Sequence, residues 1–138
     1  MRTYHTCKLV KSEDLNHHGT LFAGRGSEWF VEGCFIAAAA MLSPENIVCK
    51  KIHGLNFLQP VKNGEIIHME SKVVLVGRTS LKVYGKIVKA DDSLVLEGFL
   101  TFVHVDKNGS PVPHGLEEIK PTNPEEQRLI QKARLLKR

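Results

Sequence analysis

The chain has 138 residues and a mass of 15.4 kDa, enough for one domain with one core and too little for two cores of similar size. An apolar fraction of 42% and a charged fraction of 25% exclude a disordered tail, and the longest low-charge stretch, Trp29 to Pro44, is too short for a membrane-spanning helix. The formal net charge of +4 is compatible with nucleic acid, an anionic lipid surface or a phosphorylated small ligand, but much of the excess sits at the end of the chain, on Arg128, Lys132, Arg134, Lys137 and Arg138.

The first residues, Met1 to His5, run directly into a strand-like segment and lack the apolar run and cleavage site of a secretory signal, so a cytoplasmic location is expected. Cys7, Cys34 and Cys49 stand at wide spacings, which suits reduced thiols better than a disulfide framework or a zinc site. From Arg2 to Val10 the residues suit a strand, and Lys11 to Leu21 read as a polar loop. A helix is expected from about Ala23 or Gly24 to Leu42. Its second half, with Phe35, Ile36 and four alanines, is almost free of polar residues, so it should be covered by other elements. Ser43-Pro44 ends it, because proline disfavours helical geometry in the residue before it.

Beyond the helix the period changes. Ile47 to Leu58, Ile66 to Val76, Ser80 to Val88 and Leu94 to Val105 read as strands, separated by turns at Pro60 to Gly64, Gly77 to Thr79 and Ala90 to Asp92. In the third of them Leu81, Val83, Gly85 and Ile87 alternate with Ser80, Lys82, Tyr84 and Lys86, the pattern of an antiparallel strand with one covered face. Asp106 to Gly109 forms another turn. A final amphiphilic helix, about Pro124 to Lys137, follows Pro121 to Pro124, which divides the chain into a domain over 1–122 and a basic helical tail over 123–138.

One long apolar helix followed by four strands, expected as an antiparallel meander, is an α+β arrangement in which a sheet curls around the helix: the hotdog architecture. Pairing of strands between two such subunits would extend the sheet and cover strands that are apolar on both faces, such as Leu94 to Val105.

Chemistry concentrates in Asn16-His17-His18-Gly19-Thr20-Leu21-Phe22-Ala23-Gly24, which leads straight into the helix. Such a glycine-bearing loop at a helix start presents unpaired N–H groups and the positive end of the helix dipole, a setting that binds negative oxygen; it is also compatible with an ordinary turn. Glu28 and Glu32 stand four residues apart on one helix face, and either can act as a base or serve only the helix dipole. His17 and His18 are candidate acid–base residues of this loop or plain loop residues. His53, His68, His104 and His114 have no metal-ligand spacing, so no metal is expected.

The run Leu15 to Gly24 with Glu28, Trp29 and Glu32, then His53 to Val61 with Gly64-Glu65, then Val76 to Leu81, resembles the acyl-CoA thioesterases of the hotdog superfamily, the broad bacterial and cytosolic type, over about residues 5 to 125. The resemblance implies thioester hydrolysis, with Asn16 placing the thioester and water, the N–H groups at Ala23 and Gly24 forming an oxyanion hole, and a helix carboxylate driving the reaction. Counted through Trp29, the family's acid falls on Val31, which leaves Glu32 by a small shift, or Glu28, or a non-catalytic protein that binds acyl-CoA or an acyl carrier. Coenzyme A is then part of the substrate and no separate cofactor is expected. Its phosphates need basic partners: Arg78 with Thr79 and Ser80 beside it, Lys82, Arg128 and Lys132 are the candidates, with His17 and His18 at the loop. The expected assembly is a homo-oligomer, a dimer built into a trimer or dimer of dimers. Nucleic acid is not expected, because few aromatics are present for stacking.

Overall fold

The computed structural model describes residues 1–137, so Arg138 of the basic tail lies outside the described residues. Strand β1 (Tyr4–Leu9) is followed by a loop and by helix α1 (Ala23–Ala39). Then come β2 (Ile47–Phe57), β3 (Ile66–Val76), β4 (Ser80–Val88), β5 (Leu94–His104) and a terminal helix α2 (Pro124–Leu135). The five strands form one antiparallel sheet in the order β1-β3-β4-β5-β2, the hotdog arrangement with α1 laid across its inner face.

The four strands after α1 do not run as the expected simple meander. Only β3, β4 and β5 pair with their chain neighbours; β2 pairs with β5 at one edge, from Ile47 opposite His104 to Phe57 opposite Leu96, and β1 pairs with β3 at the other. Because α1 carries the chain across the sheet before β2 begins, the segment between Phe57 and Ile66 has to return to the β1 side. It passes the N-terminal end of α1 on the way, pinned there by the Leu21 amide donating to the Val61 carbonyl (2.8 Å) and the Val10 amide donating to that of Glu65 (2.9 Å).

Helix α1 is buried along the stripe Phe30, Cys34, Ala37 and Ala38. It sits very close to the sheet. An added Cβ at Gly85 would fall 2.6 Å from the Cys34 sulfur and 2.9 Å from the Phe30 ring, and one at Gly33 would fall 2.7 Å from Met69. The hydroxyl of Ser71 donates to the Gly33 carbonyl at 2.7 Å, which satisfies a buried polar group at the tightest point. The expectation of a helix covered on nearly every side needs one correction: Glu28, Glu32 and Ile36 line an exposed face of α1.

Helix α2 lies against the outer face of the sheet, where Leu129 and Ala133 pack with Val74 and Tyr84. Its start is well capped: the Asn123 side chain accepts the Glu126 amide at 2.8 Å, and the Thr122 amide and hydroxyl donate to the Glu126 carboxylate at 2.8 and 2.7 Å. Those Thr122 hydrogen bonds, with Lys72 nearby, hold the Glu126 carboxyl below the usual carboxylate range. At the other end Lys82 donates to the Ala133 and Leu136 carbonyls, the groups a helix C-terminus leaves unpaired. Among the described residues no helix is long and apolar enough to cross a membrane.

Substituting Gly85→Ala forces a methyl group into the contact with Cys34 and Phe30. Overpacking of this kind costs about 1–3 kcal/mol. Urea unfolding should show a lowered midpoint with an unchanged slope, whereas an unchanged midpoint would mean that α1 sits higher on the sheet than described.

Candidate active site

A groove of about 320 Å³ opens beside the N-terminal end of α1. Asn16, Leu21, Phe22, Ala23 and Gly26 form one wall, Phe57 to Val61 the other, and Ile87, Val95 and Leu96 of the sheet lie at the bottom. The groove exists because the chain returning from β2 passes the helix end. Gly26 keeps it open, since an added Cβ there would stand in ordinary contact with Leu21 at 3.5 Å and Phe57 at 3.9 Å.

No side chain caps α1. Its N-cap is Phe22, which has no polar atom to offer, and the first turn carries no acid. The amides of Arg25 and Gly26 already donate to the Phe22 carbonyl. The amides of Ala23 and Gly24, in the first turn, have no intrahelical acceptor, so the positive end of the helix is available to an oxygen anion at the groove.

Asn16 organises the loop in front of this end. Its Oδ1 accepts the amides of His18 (2.9 Å) and Thr20 (3.2 Å), and its Nδ2 donates to the Thr20 hydroxyl at 3.1 Å. Gly19 supports the turn with a positive φ of 77°. The Asn16 carbonyl oxygen is therefore engaged within the loop, and its amide nitrogen retains one N–H.

The carboxylates lie elsewhere. At about 100° per residue, Glu32 points directly away from Ala23, and the structure leaves it exposed in a depression with Cys7, Lys8 and Trp29 that Asp14, Arg25 and Glu28 also line. Although the apolar half of the helix begins just beyond it, α1 turns the Glu32 position to solvent. Glu28 is also exposed, but it shares a smaller depression with Asp14, Phe22, Gly24 and Arg25. Phe22 lines both that depression and the groove, and Val31 packs against the core between the two faces. His17 and His18 are exposed on the loop and line none of these cavities.

Asp14 and Arg25 are functional candidates that the sequence reading passed over. The buried Asp14 carboxylate accepts the Lys11 amide at 2.9 Å and lies 3.2 Å from Arg25 Nε, while its backbone carbonyl accepts the Phe22 amide at 2.8 Å. Arg25 Nη1 also lies 3.6 Å from Glu28. An acid two residues before Asn16 and a base at the start of the helix are the only traces of this pairing in the sequence.

Arg78, Thr79, Ser80 and Lys82 do come together, around a cavity of about 650 Å³ that also takes in Lys50, Lys51 and the strand residues Val48 and Thr101. That cavity is at the Val48 end of β2, away from the groove at the Phe57 end. Close by, the His53 ring nitrogen lies 2.6 Å from the Thr101 hydroxyl, and burial together with Lys51 and Lys82 lowers its pKa. Arg128 and Lys132 are exposed on α2 and line none of these cavities.

A sheet around one helix, with an uncapped helix end facing an apolar groove, defines a thioesterase-type hotdog domain. Residues 18–96 match the model of the Thioesterase superfamily, and the chain belongs to that family. It is 33% identical over 116 residues to a protein of Bacillus subtilis (strain 168) named "Uncharacterized acyl-CoA thioester hydrolase YkhA", covering 77% of this chain and 67% of that one. A structure described as an apo-hexameric acyl-CoA thioesterase superposes with a TM-score of 0.81 at 30% identity, over 96% of this chain and 86% of that one. The acyl-CoA hydrolase of Staphylococcus aureus, solved with butyryl coenzyme A and coenzyme A, superposes with a TM-score of 0.82 at 25% identity, over 96% and 79%. Structures of that enzyme also exist with an asparagine or an aspartate replaced by alanine, at positions fifteen residues apart.

Replacing Asn16 by alanine removes the acceptor for two loop amides at once. At about 1 kcal/mol per hydrogen bond, the variant should lose roughly 1–3 kcal/mol of stability. The His18 and Thr20 amides should exchange with deuterium faster than in the unaltered protein, and unchanged exchange would remove Asn16 from its place at the centre of the loop.

Proposed function

We propose that this protein hydrolyses acyl-CoA thioesters to the free acid and coenzyme A. The observation that carries the reading is the uncapped end of α1 opening on an apolar groove: an acyl chain occupies the groove and its carbonyl oxygen meets the Ala23 and Gly24 amides. Donors aimed at a developing oxyanion are often the largest contribution to acyl transfer. The names of the Bacillus and Staphylococcus relatives, an acyl-CoA thioester hydrolase and an acyl-CoA hydrolase, support the same chemistry.

Water attacks the carbonyl carbon while a carboxylate takes its proton. Collapse of the oxyanion breaks the carbon–sulfur bond, and the proton passes to the leaving sulfur as the free thiol. The interval between the two residues altered in the Staphylococcus enzyme, counted from Asn16, ends on Val31, which cannot accept a proton. Glu28 is the better remaining base, because it shares a depression with Gly24, whereas Glu32 does not. Asn16 acts through its remaining N–H and through the loop it holds.

Purified protein incubated with acyl-CoAs of graded length should release thiol above background. General-base catalysis contributes typically about 10²–10⁴-fold, so Glu28→Gln should lower kcat by that order and Glu32→Gln by less than about threefold. No thiol at any chain length would refute hydrolysis. Tight binding of acyl-CoA without turnover would instead establish the second reading, a non-catalytic acyl-CoA binder, which Val31 alone favours.

The finer assembly is a dimer joined through β2. This edge strand and its neighbours expose Phe22 (56%), Val48 (46%), Ile52 (44%), Phe57 (49%) and Leu58 (56%), more apolar surface than an unpaired edge normally carries. A second copy pairing antiparallel along β2 covers it and sets the Val48 end of one subunit beside the Phe57 end of the other. The cavity at Arg78 then adjoins the other copy's groove, and Arg78 with Thr79 and Ser80 receives the coenzyme A phosphates. Hexameric relatives are compatible with three such dimers. Ile52→Asp should give a monomer by light scattering with activity lost, and Arg78→Ala should raise KM about tenfold for acyl-CoA but not for an acyl-pantetheine lacking the nucleotide. An active monomer, or equal effects on both substrates, would overturn this arrangement.

A further inference from the structure

We propose that Asp14 and Arg25 form a charge-balanced positioning pair behind the N-terminal end of α1, an inference that rests on the hydrolase reading. Asp14 is a buried carboxylate whose own backbone and side chain tie both ends of the Lys11–Phe22 loop, through the Phe22 amide at 2.8 Å and the Lys11 amide at 2.9 Å. Fixing Phe22 fixes the N-cap of α1 and so the direction of the Ala23 and Gly24 amides. Fixing the loop fixes Asn16. One buried side chain therefore sets the spacing between the loop and the anion-binding end.

That placement has an electrostatic cost. A carboxylate lining the same depression as Gly24 opposes the positive potential that the helix end offers to an oxyanion, and the opposition is strongest where water is excluded. Arg25 cancels it. Its Nε lies 3.2 Å from Asp14, on the first turn of the same helix, and its other arm reaches toward Glu28 at 3.6 Å. The other charges of this depression are Glu13, which pairs with Lys11 at 3.0 Å, and Glu28 itself. Arg25 is thus the cation in contact with the buried carboxylate, and its removal leaves that charge beside the helix end with only the more distant Lys11, already paired with Glu13, to offset it.

The consequence separates a charge role from a purely structural one. Arg25→Gln should lower kcat for acyl-CoA about tenfold with KM within threefold, because the Asp14 field acts on the transition state more than on the bound ester. Adding Asp14→Asn to it removes the surplus charge, and the double variant should recover to within threefold of wild type. Both proteins lose the contact to Glu28, so their difference reports Asp14 alone. Arg25→Lys, which keeps the charge, should also run within threefold. A double variant as slow as Arg25→Gln, a loss confined to KM, or an Arg25→Gln enzyme equal to wild type would each overturn the pair. If Arg25→Gln does not stay folded by circular dichroism, the double variant and Arg25→Lys decide: a tenfold loss in either overturns it. A wild-type protein that hydrolyses no thioester removes the hydrolase reading and the pair's catalytic use with it, whereas an active wild type with indifferent variants removes the pair only.

Discussion

Helix α1 reaches the sheet as closely as it does because Gly33 and Gly85 place no side chain between them, so that Cys34, Phe30 and Met69 fill the gap. Protein interiors tolerate extra volume poorly, and this contact sets the height of the helix over β3 and β4. Its height in turn decides where the N-terminal end of α1 meets the chain returning from β2. The groove between Ala23, Gly26, Phe57 and Leu96 is the space left at that meeting.

The charges around the same helix end are arranged on two sides. Toward the groove there is no acid in the first turn and no polar cap, so the Ala23 amide keeps its affinity for an oxygen anion, and Gly24 stands at the border with the ionic side. Away from it, Asp14, Arg25 and Glu28 form a compact ionic group in which a buried carboxylate does structural duty. Phe22, which lines both sides, lets the protein hold a loop with a negative charge close to a site that has to attract one.

The sheet is unfinished at β2. Its opposite edge, β1, is short, six residues, and presents His5 and Lys8 to solvent, whereas β2 offers eleven residues with several large apolar side chains exposed. The asymmetry is the reason the proposed dimer uses β2, and the groove and the basic cavity lie at opposite ends of that strand. Membership of the Thioesterase superfamily and the hexameric relatives agree with a homo-oligomer.

Local signals settled the elements and the chemistry-bearing loop: the proline-free run of the helix, which ends at Ala39 and not at the expected Leu42, the period-two pattern of β4 and the loop from Asn16 to Gly24 are all short-range features, and short-range features survive in a linear reading. The replacement of an acid by Val31 was legible in the same way, from counting. The order of the strands was not, since β2 joins β5 through contacts some fifty residues apart that no local pattern encodes. Nor was the surrounding of the carboxylates: Glu28 and Glu32 look equivalent at a spacing of four, and only the packing of Phe30, Cys34 and Ala37 onto the sheet decides that both are exposed and that Glu28 alone shares a depression with Gly24. The same holds for Asp14 and Arg25, which are eleven positions apart and become partners because the loop between them folds back on the helix. Sequence alone determined which residue types were present and in what local conformation; the tertiary structure decided which of them meet, because a side chain's neighbours are set by how whole elements pack.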